Sequence, residues 1–398
     1  MHPTSLMLKG RNNYSITYNN SKMTKSLKLF EEADLGSITL QNRVVMAPMT
    51  RSRATADHVP TDIMATYYGQ RSNAGLIITE GTAPSPNGVG YPRIPGIYND
   101  EQREAWKPIA DNVRQNGGKI FMQLMHTGRI SHELNMPDDA KILAPSAVPF
   151  TDDQMYTDQK GPQDYPVPEK MTEAEIQSTI QEHVDAAKRA IEAGFDGVEI
   201  HGANGYLIEQ FLAPNTNTRD DNYGGSIENR NRFAIEVSKA VVDAIGKEKT
   251  GIRLSPYGVF SGIKPHDNID EQYIELTKAL NDLGLLYIHI VDHSAMGTPE
   301  VPDSIKIAIK DHFSDGAIIL SGGYNDAEEA SKDLENENGH LIAFGRPFIS
   351  NPDLVNRLKN DISLADPDHD TFYTPGAEGY IDYPTADESQ TLNTVNSI

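Results

Sequence analysis

Three polar residues stand close together in His201-Gly202-Ala203-Asn204-Gly205-Tyr206. His201 and Asn204 each offer N–H donors, together enough to hold and polarise one carbonyl or nitro oxygen. Tyr206 carries a proton that it surrenders with difficulty, which suits a general acid facing a developing carbanion. A solitary His in such a place ordinarily makes a structural hydrogen bond. Three convergent polar groups favour a reactive site.

A second chemistry is written further along, in Ser321-Gly322-Gly323-Tyr324-Asn325 and Gly345-Arg346-Pro347. Glycine loops expose backbone N–H donors, and an arginine adds a fixed fork, so the two segments suit a phosphate. The alternative is that the glycines permit tight turns and Arg346 is a surface charge. Thr50, Gln123 and Arg253 are polar residues in or beside apolar runs. An arginine inside such a run needs an anionic partner, either a carboxylate or an electron-rich cofactor ring, because an unpaired buried charge is costly. His126 and His132 have no carboxylate at metal-ligand spacing, so no metal site is expected.

These residues must be positioned by elements. Eight short apolar runs read as strands: 44–47, 76–79, 120–124, 197–201, 251–254, 286–291, 317–321 and 341–344. They are mostly without alternation, as strands buried on both faces of a parallel sheet should be. Helical patterns lie between them, the clearest from Thr172 to Ala193, opened by a capping box of Thr172 and Glu175 and stopped by Gly194. Eight strand–helix alternations predict an α/β fold, a (β/α)8 TIM barrel, in preference to a doubly wound sheet. In a barrel, catalytic groups come from the C-terminal strand ends and phosphates bind after strands seven and eight, which is where the two chemistries fall. A barrel takes about 250 residues, so the surplus is assigned to a disordered extension at 1–25, a capping insertion at 130–170 after the third strand, and a tail at 387–398. The barrel itself spans 26–386.

Composition excludes whole classes. The 398 residues carry 35 Lys+Arg against 57 Asp+Glu, a formal charge of −22. Such a surface disfavours nucleic acid and anionic membranes as partners. There is no cysteine, hence no disulfide, thiol nucleophile or cysteine-ligated iron–sulfur cluster. No run is long and apolar enough to span a bilayer, and a cytoplasmic location is expected.

The motifs carry a resemblance. His201-Gly-Ala-Asn204-Gly-Tyr206-Leu, Gln210-Phe-Leu-Ala-Pro-Asn215 and Arg219-Asp-Asp-Asn-Tyr-Gly-Gly-Ser226-Ile-Glu-Asn-Arg230 resemble the Old Yellow Enzyme family. So do Met46-Ala-Pro48-Met49-Thr50-Arg51-Ser-Arg53, Gln123-Leu-Met125-His-Thr-Gly128-Arg129 and Phe344-Gly-Arg346-Pro-Phe-Ile-Ser-Asn-Pro352-Asp-Leu354. The closing Phe372-Tyr373 and Gly376-Ala-Glu-Gly-Tyr380-Ile-Asp-Tyr383-Pro384 are similar to its bacterial N-ethylmaleimide reductase branch.

The resemblance implies FMN reduced by NADPH or NADH and reoxidised by an activated alkene, in a monomer or homodimer. It implies that Pro48, Met49, Thr50, Gly81, Gln123 and Arg253 meet the flavin: Thr50 on the C4 carbonyl side, Gln123 on the pyrimidine edge, Arg253 near N1 and O2. Gly322, Gly323, Gly345 and Arg346 would take the phosphate. His201 and Asn204 would hold the substrate carbonyl oxygen, and Tyr206 would protonate Cα after hydride passes from flavin N5 to Cβ. Tyr373 and Met125 would line the substrate pocket; relatives often have Trp where Met125 stands. Reduction of nitroesters, nitroaromatics or quinones on the same site is the alternative. A non-redox phosphate-binding barrel enzyme and a flavin carrier without turnover stand further off.

Overall fold

The structure, a computed structural model, describes residues 27–389. The extension at 1–25 therefore lies outside the described residues, as does most of the tail at 387–398.

Eight parallel strands close into a barrel: β1 (Val44–Met46), β2 (Leu76–Ile78), β3 (Ile120–Leu124), β4 (Gly197–Gly202), β5 (Thr250–Leu254), β6 (Tyr287–Val291), β7 (Ala317–Ser321) and β8 (Leu341–Phe344). Neighbours in sequence are neighbours in space, and the ring closes where Ile342, Ala343 and Phe344 pair with Val44, Val45 and Met46. Helices between the strands, among them Asp100–Gln115, Glu173–Glu192 and Ile227–Ile245, cover the outside. All eight expected strands are present, with ends shifted by a residue or so. Their near-complete burial explains why they read as unbroken apolar runs. The helix Glu173–Glu192 begins at the expected capping box: Thr172 Oγ1 accepts from the Glu175 N–H at 3.2 Å, and Glu175 Oε2 accepts from the Thr172 N–H at 2.9 Å.

One element escaped the sequence reading. Ala33–Leu35 and Ile38–Leu40 form an antiparallel hairpin whose Ala33, Leu35 and Leu40 pack with Val45, Leu76, Phe121, Tyr287 and Leu341 inside the barrel. It plugs the end away from the chemistry. Three-residue strands are too short to show a period.

The segment 130–170 forms a hairpin of Gln154–Thr157 with Gly161–Asp164 and a short parallel pair, Leu143–Ala144 with Glu169–Lys170. Arg129 at its base donates to Val148 O, Pro149 O and Ser261 O, and Asn135 Nδ2 donates to Gly90 O and Tyr156 O. These bonds tie it to the loops after β5 and β2, on the C-terminal side of the barrel. On the same side, buried Arg51 and Arg53, just after β1, donate to the carbonyls of Thr371, Phe372, Gly376, Glu378 and Gly379. Tyr67 stacks on Tyr380 with ring centroids 4.1 Å apart. The C-terminal segment is thereby stapled across the mouth.

Candidate active site

A cavity of about 640 Å³ opens at the C-terminal ends of the strands, within the range of sites for small ligands and cofactors. Among its walls are Pro48, Met49, Thr50, Asn204, Arg253, Gly323, Gly345, Arg346 and Tyr373. Nine residues singled out in sequence thus share one wall, although they lie as far apart as 48 and 373.

Two arginines give the cavity its charge. Arg253 projects from β5 and is buried, and its guanidinium makes no hydrogen bond or ion pair to protein among the described residues. Burial lowers its pKa, and the field of Glu199 opposes that fall. The Arg346 guanidinium likewise makes no hydrogen bond or ion pair among the described residues. In a chain of net charge −22, two cations without carboxylate partners at one cavity make a site for an anionic ligand. Gly345 leaves the wall open, the nearest atom to a Cβ placed there being Met49 Sδ at 3.8 Å. Gly323 has φ +78°, and a Cβ there would lie 2.4 Å from Ala295 Cβ. The space, the unpartnered guanidinium of Arg253 and the open glycine fit FMN.

The other end of the cavity is built around Asn204. After β4 the chain turns through two left-handed residues, Asn204 at φ +59° and Gly205 at φ +75°. Asn tolerates this region. At 205 only glycine fits, since a Cβ would stand 2.5 Å from Phe260 O. The turn is held at nearly every polar atom. The Asn204 N–H donates to Ser255 Oγ at 2.9 Å, Asn204 O accepts from Ser261 Oγ at 3.0 Å, and Oδ1 accepts from His293 Nε2 at 2.8 Å. Only Nδ2 has no partner among the described residues. Ser255 Oγ in turn donates to Glu209 Oε1 at 2.6 Å, and Glu209 Oε2 accepts from the Gly205 N–H at 2.6 Å. Burial pushes the Glu209 carboxyl up to about 7, against the pull of these hydrogen bonds.

His201 Nδ1 accepts from the Ala203 N–H at 3.2 Å, so the neutral ring carries its proton on Nε2. Burial above all, then the charge of Arg253, holds His201 well below the usual imidazole value. Tyr206 stands edge-to-face against His201 with ring centroids 5.0 Å apart, and its hydroxyl is 3.1 Å from that of Tyr91. Burial raises the Tyr206 phenol above the ordinary tyrosine value, and the bond to Tyr91 partly offsets the shift.

Six expected residues are not on the cavity wall: His201 and Tyr206, described above, and Gln123, Gly81, Met125 and Gly322. Gln123 Nε2 donates to Glu199 Oε1 at 2.8 Å, while Glu199 Oε2 is 2.9 Å from His289 Nδ1, a buried polar chain across β3, β4 and β6. Gly81 packs against Met125, whose Sδ would be 2.4 Å from an added Cβ. Met125 itself is buried with Ala83, Val89 and Ile94 behind Tyr91 and Tyr206. Gly322 borders an adjacent pocket with Asp292 and Lys306. Conversely, sequence reasoning passed over Tyr91, Ser255, Glu209, Ser261 and His293. Ser255 and His293 follow β5 and β6 within two residues, so the strand-end rule itself was a signal for both.

The sequence profile of the NADH:flavin oxidoreductase / NADH oxidase family matches residues 28–365, and the chain belongs to that family. It is an NAD(P)H-dependent flavin oxidoreductase of the Old Yellow Enzyme type, with FMN as its cofactor. Chanoclavine-I aldehyde reductase of Penicillium roqueforti is 41% identical over 91% of this chain and 98% of its own. Morphinone reductase, solved in complex with tetrahydroNAD, is 42% identical with a TM-score of 0.85, covering 91% of this chain and 98% of the other. The Old Yellow Enzyme homologue of Zymomonas mobilis is 40% identical with a TM-score of 0.84, covering 90% and 99%. The fold and the family expected from the sequence are both borne out. Among the described residues, no helix is long and apolar enough to cross a membrane.

Proposed function

We propose that the protein is an ene-reductase that saturates the activated C=C bond of α,β-unsaturated carbonyl compounds at the expense of NAD(P)H. Bound FMN would supply the redox chemistry, the transfer of hydride from the nicotinamide to the substrate Cβ. Thr50, Arg253, Gly323, Gly345 and Arg346 would hold it, the arginines meeting its negative charge.

The observation that carries the reading is the donor set at the end of β4. Among the described residues Asn204 has Nδ2 as its one unpartnered polar atom, and neutral His201 has its proton on Nε2. Two N–H groups directed at one oxygen would polarise a carbonyl, make Cβ electrophilic and stabilise the enolate-like charge that develops; losing one such donor typically costs about 100-fold or more in rate. A neutral imidazole suits the task, because it donates without surrendering its proton. Tyr206 keeps its proton through the working pH range and gives it to Cα as the carbanion forms. Tyr91, 3.1 Å away, is placed to resupply it. The segment 130–170 would act as a cap over this end, and Tyr373, 61% exposed on the rim, would meet the incoming substrate.

The test is anaerobic. NADPH or NADH should bleach the yellow holoenzyme, and a stoichiometric amount of 2-cyclohexenone should restore the colour with formation of cyclohexanone. Bleaching that only oxygen or a quinone reverses would overturn the proposal.

A further inference from the structure

A primary carboxamide presents a donor or an acceptor according to its rotation, and the two faces differ little in shape. Donation to a substrate oxygen therefore requires that something set the rotation of Asn204. Among the described residues one hydrogen bond reaches the amide: His293 Nε2, from the loop after β6, lies 2.8 Å from Asn204 Oδ1. We propose that His293 is a positioning residue for the substrate oxygen, fixing Asn204 Oδ1 so that Nδ2 faces the cavity. This rests on the reading of Asn204 as an oxygen-binding donor.

The ring is itself held. Phe260 packs edge-on against it, with centroids 4.4 Å apart at 70°. The loop that carries it is pinned by the preceding residue: Asp292 Oδ1 accepts from the Ser294 N–H at 2.8 Å, and Oδ2 accepts from the Val301 N–H at 3.1 Å and pairs with Lys306 Nζ at 3.2 Å. Burial, together with Arg253 and Arg346, holds His293 down to about 4, with Asp292 opposing. The ring is neutral near pH 7, and the one N–H it then carries is spent on Oδ1. With that bond lost, the carboxamide is free to rotate and bring its oxygen against the oxygen of the substrate, lone pair facing lone pair. The contact spans 89 residues of sequence, so it exists only because the barrel brings the β4 and β6 ends together.

The experiment is a titration of the FMN-loaded protein with para-hydroxybenzaldehyde, whose phenolate oxygen stands in for the enolate-like oxygen, followed by the absorbance of the bound flavin. His293→Ala should weaken binding about five- to tenfold, the value of one ordinary hydrogen bond. His293→Gln, which keeps a donor of similar reach, should restore most of it. In an Asn204→Ala background, His293→Ala should add nothing, because the two act as one unit. Unchanged affinity in His293→Ala, with Asn204→Ala clearly weakened, would overturn the positioning role and leave the oxygen-binding reading intact. An equal loss from His293→Ala in both backgrounds would mean that the imidazole contacts the ligand itself, which also overturns it. Unchanged affinity in Asn204→Ala would remove the oxygen-binding reading and this inference with it.

Discussion

At the scale of single residues, proton transfer and oxygen binding are assigned to different groups, and their environments suit the division. His201 is kept uncharged by burial beside Arg253, whereas Tyr206 is kept protonated by burial, against the pull of its bond to Tyr91. Tyr206→Phe should therefore slow reoxidation by a poorly activated enone about 100-fold or more, the usual contribution of a general acid, while reduction by NADPH keeps its rate. Stopped-flow absorbance of the two half-reactions checks this. Slowed reduction with unchanged reoxidation would contradict it. His201, Asn204 and Tyr206 were legible in sequence because they fall within six residues at one strand end. Tyr91 was not, since its meeting with Tyr206 spans 115 residues.

At the scale of elements, the turn after β4 is a strained device held by a carboxylate. Left-handed Asn204 and Gly205 depend on Ser255 and Glu209, the latter from the helix Leu207–Leu212. The Glu209 carboxyl is raised from 4.5 to about 7. A carboxyl raised on folding binds its proton more tightly in the folded state. Its stabilising contribution is fully present below pH 4.5 and is lost as the pH climbs through about 7. Glu209→Gln should remove a downward slope of up to about 1.4 kcal/mol per pH unit from the unfolding free energy across that window. Urea unfolding at several pH values measures it, and parallel curves for wild type and variant would contradict it. The strands were easy to read because each is a short buried run. The loops were harder, since their hydrogen bonds join segments 50 or more residues apart: 51 from Asn204 to Ser255, 89 from Asn204 to His293. Such pairs exist only after the barrel closes.

At the scale of the whole molecule, the barrel is finished by pieces outside its βα repeat. The N-terminal hairpin fills one end, and the arginine clasp fastens residues 371–380 over the other. Arg53 alone donates to the carbonyls of Arg51, Thr371, Phe372, Gly376 and Glu378. Arg53→Ala should cost about 3 kcal/mol or more, because those acceptors stay partly buried without their donor. It should also raise the KM for enones, since Tyr373 stands on the fastened segment. Thermal unfolding and steady-state kinetics together test both effects; a stable variant with unchanged KM would refute the clasp. The sequence motifs around Arg51, Arg53 and Tyr380 were visible, but their mutual contact was not. The net charge of −22 takes on meaning only against Arg253 and Arg346, two cations left without carboxylates at the single mouth where the chemistry gathers. The central claim is that hydride reaches Cβ while Tyr206 delivers a solvent-derived proton to Cα. Turnover of 2-cyclohexenone with nicotinamide deuterated at its transferable position, and separately with ordinary nicotinamide in D2O, tests this directly by NMR of the product. The account predicts the nicotinamide label at Cβ and the solvent label at Cα; nicotinamide label at Cα, or an oxygen-bearing carbon reduced in place of the alkene, would contradict it.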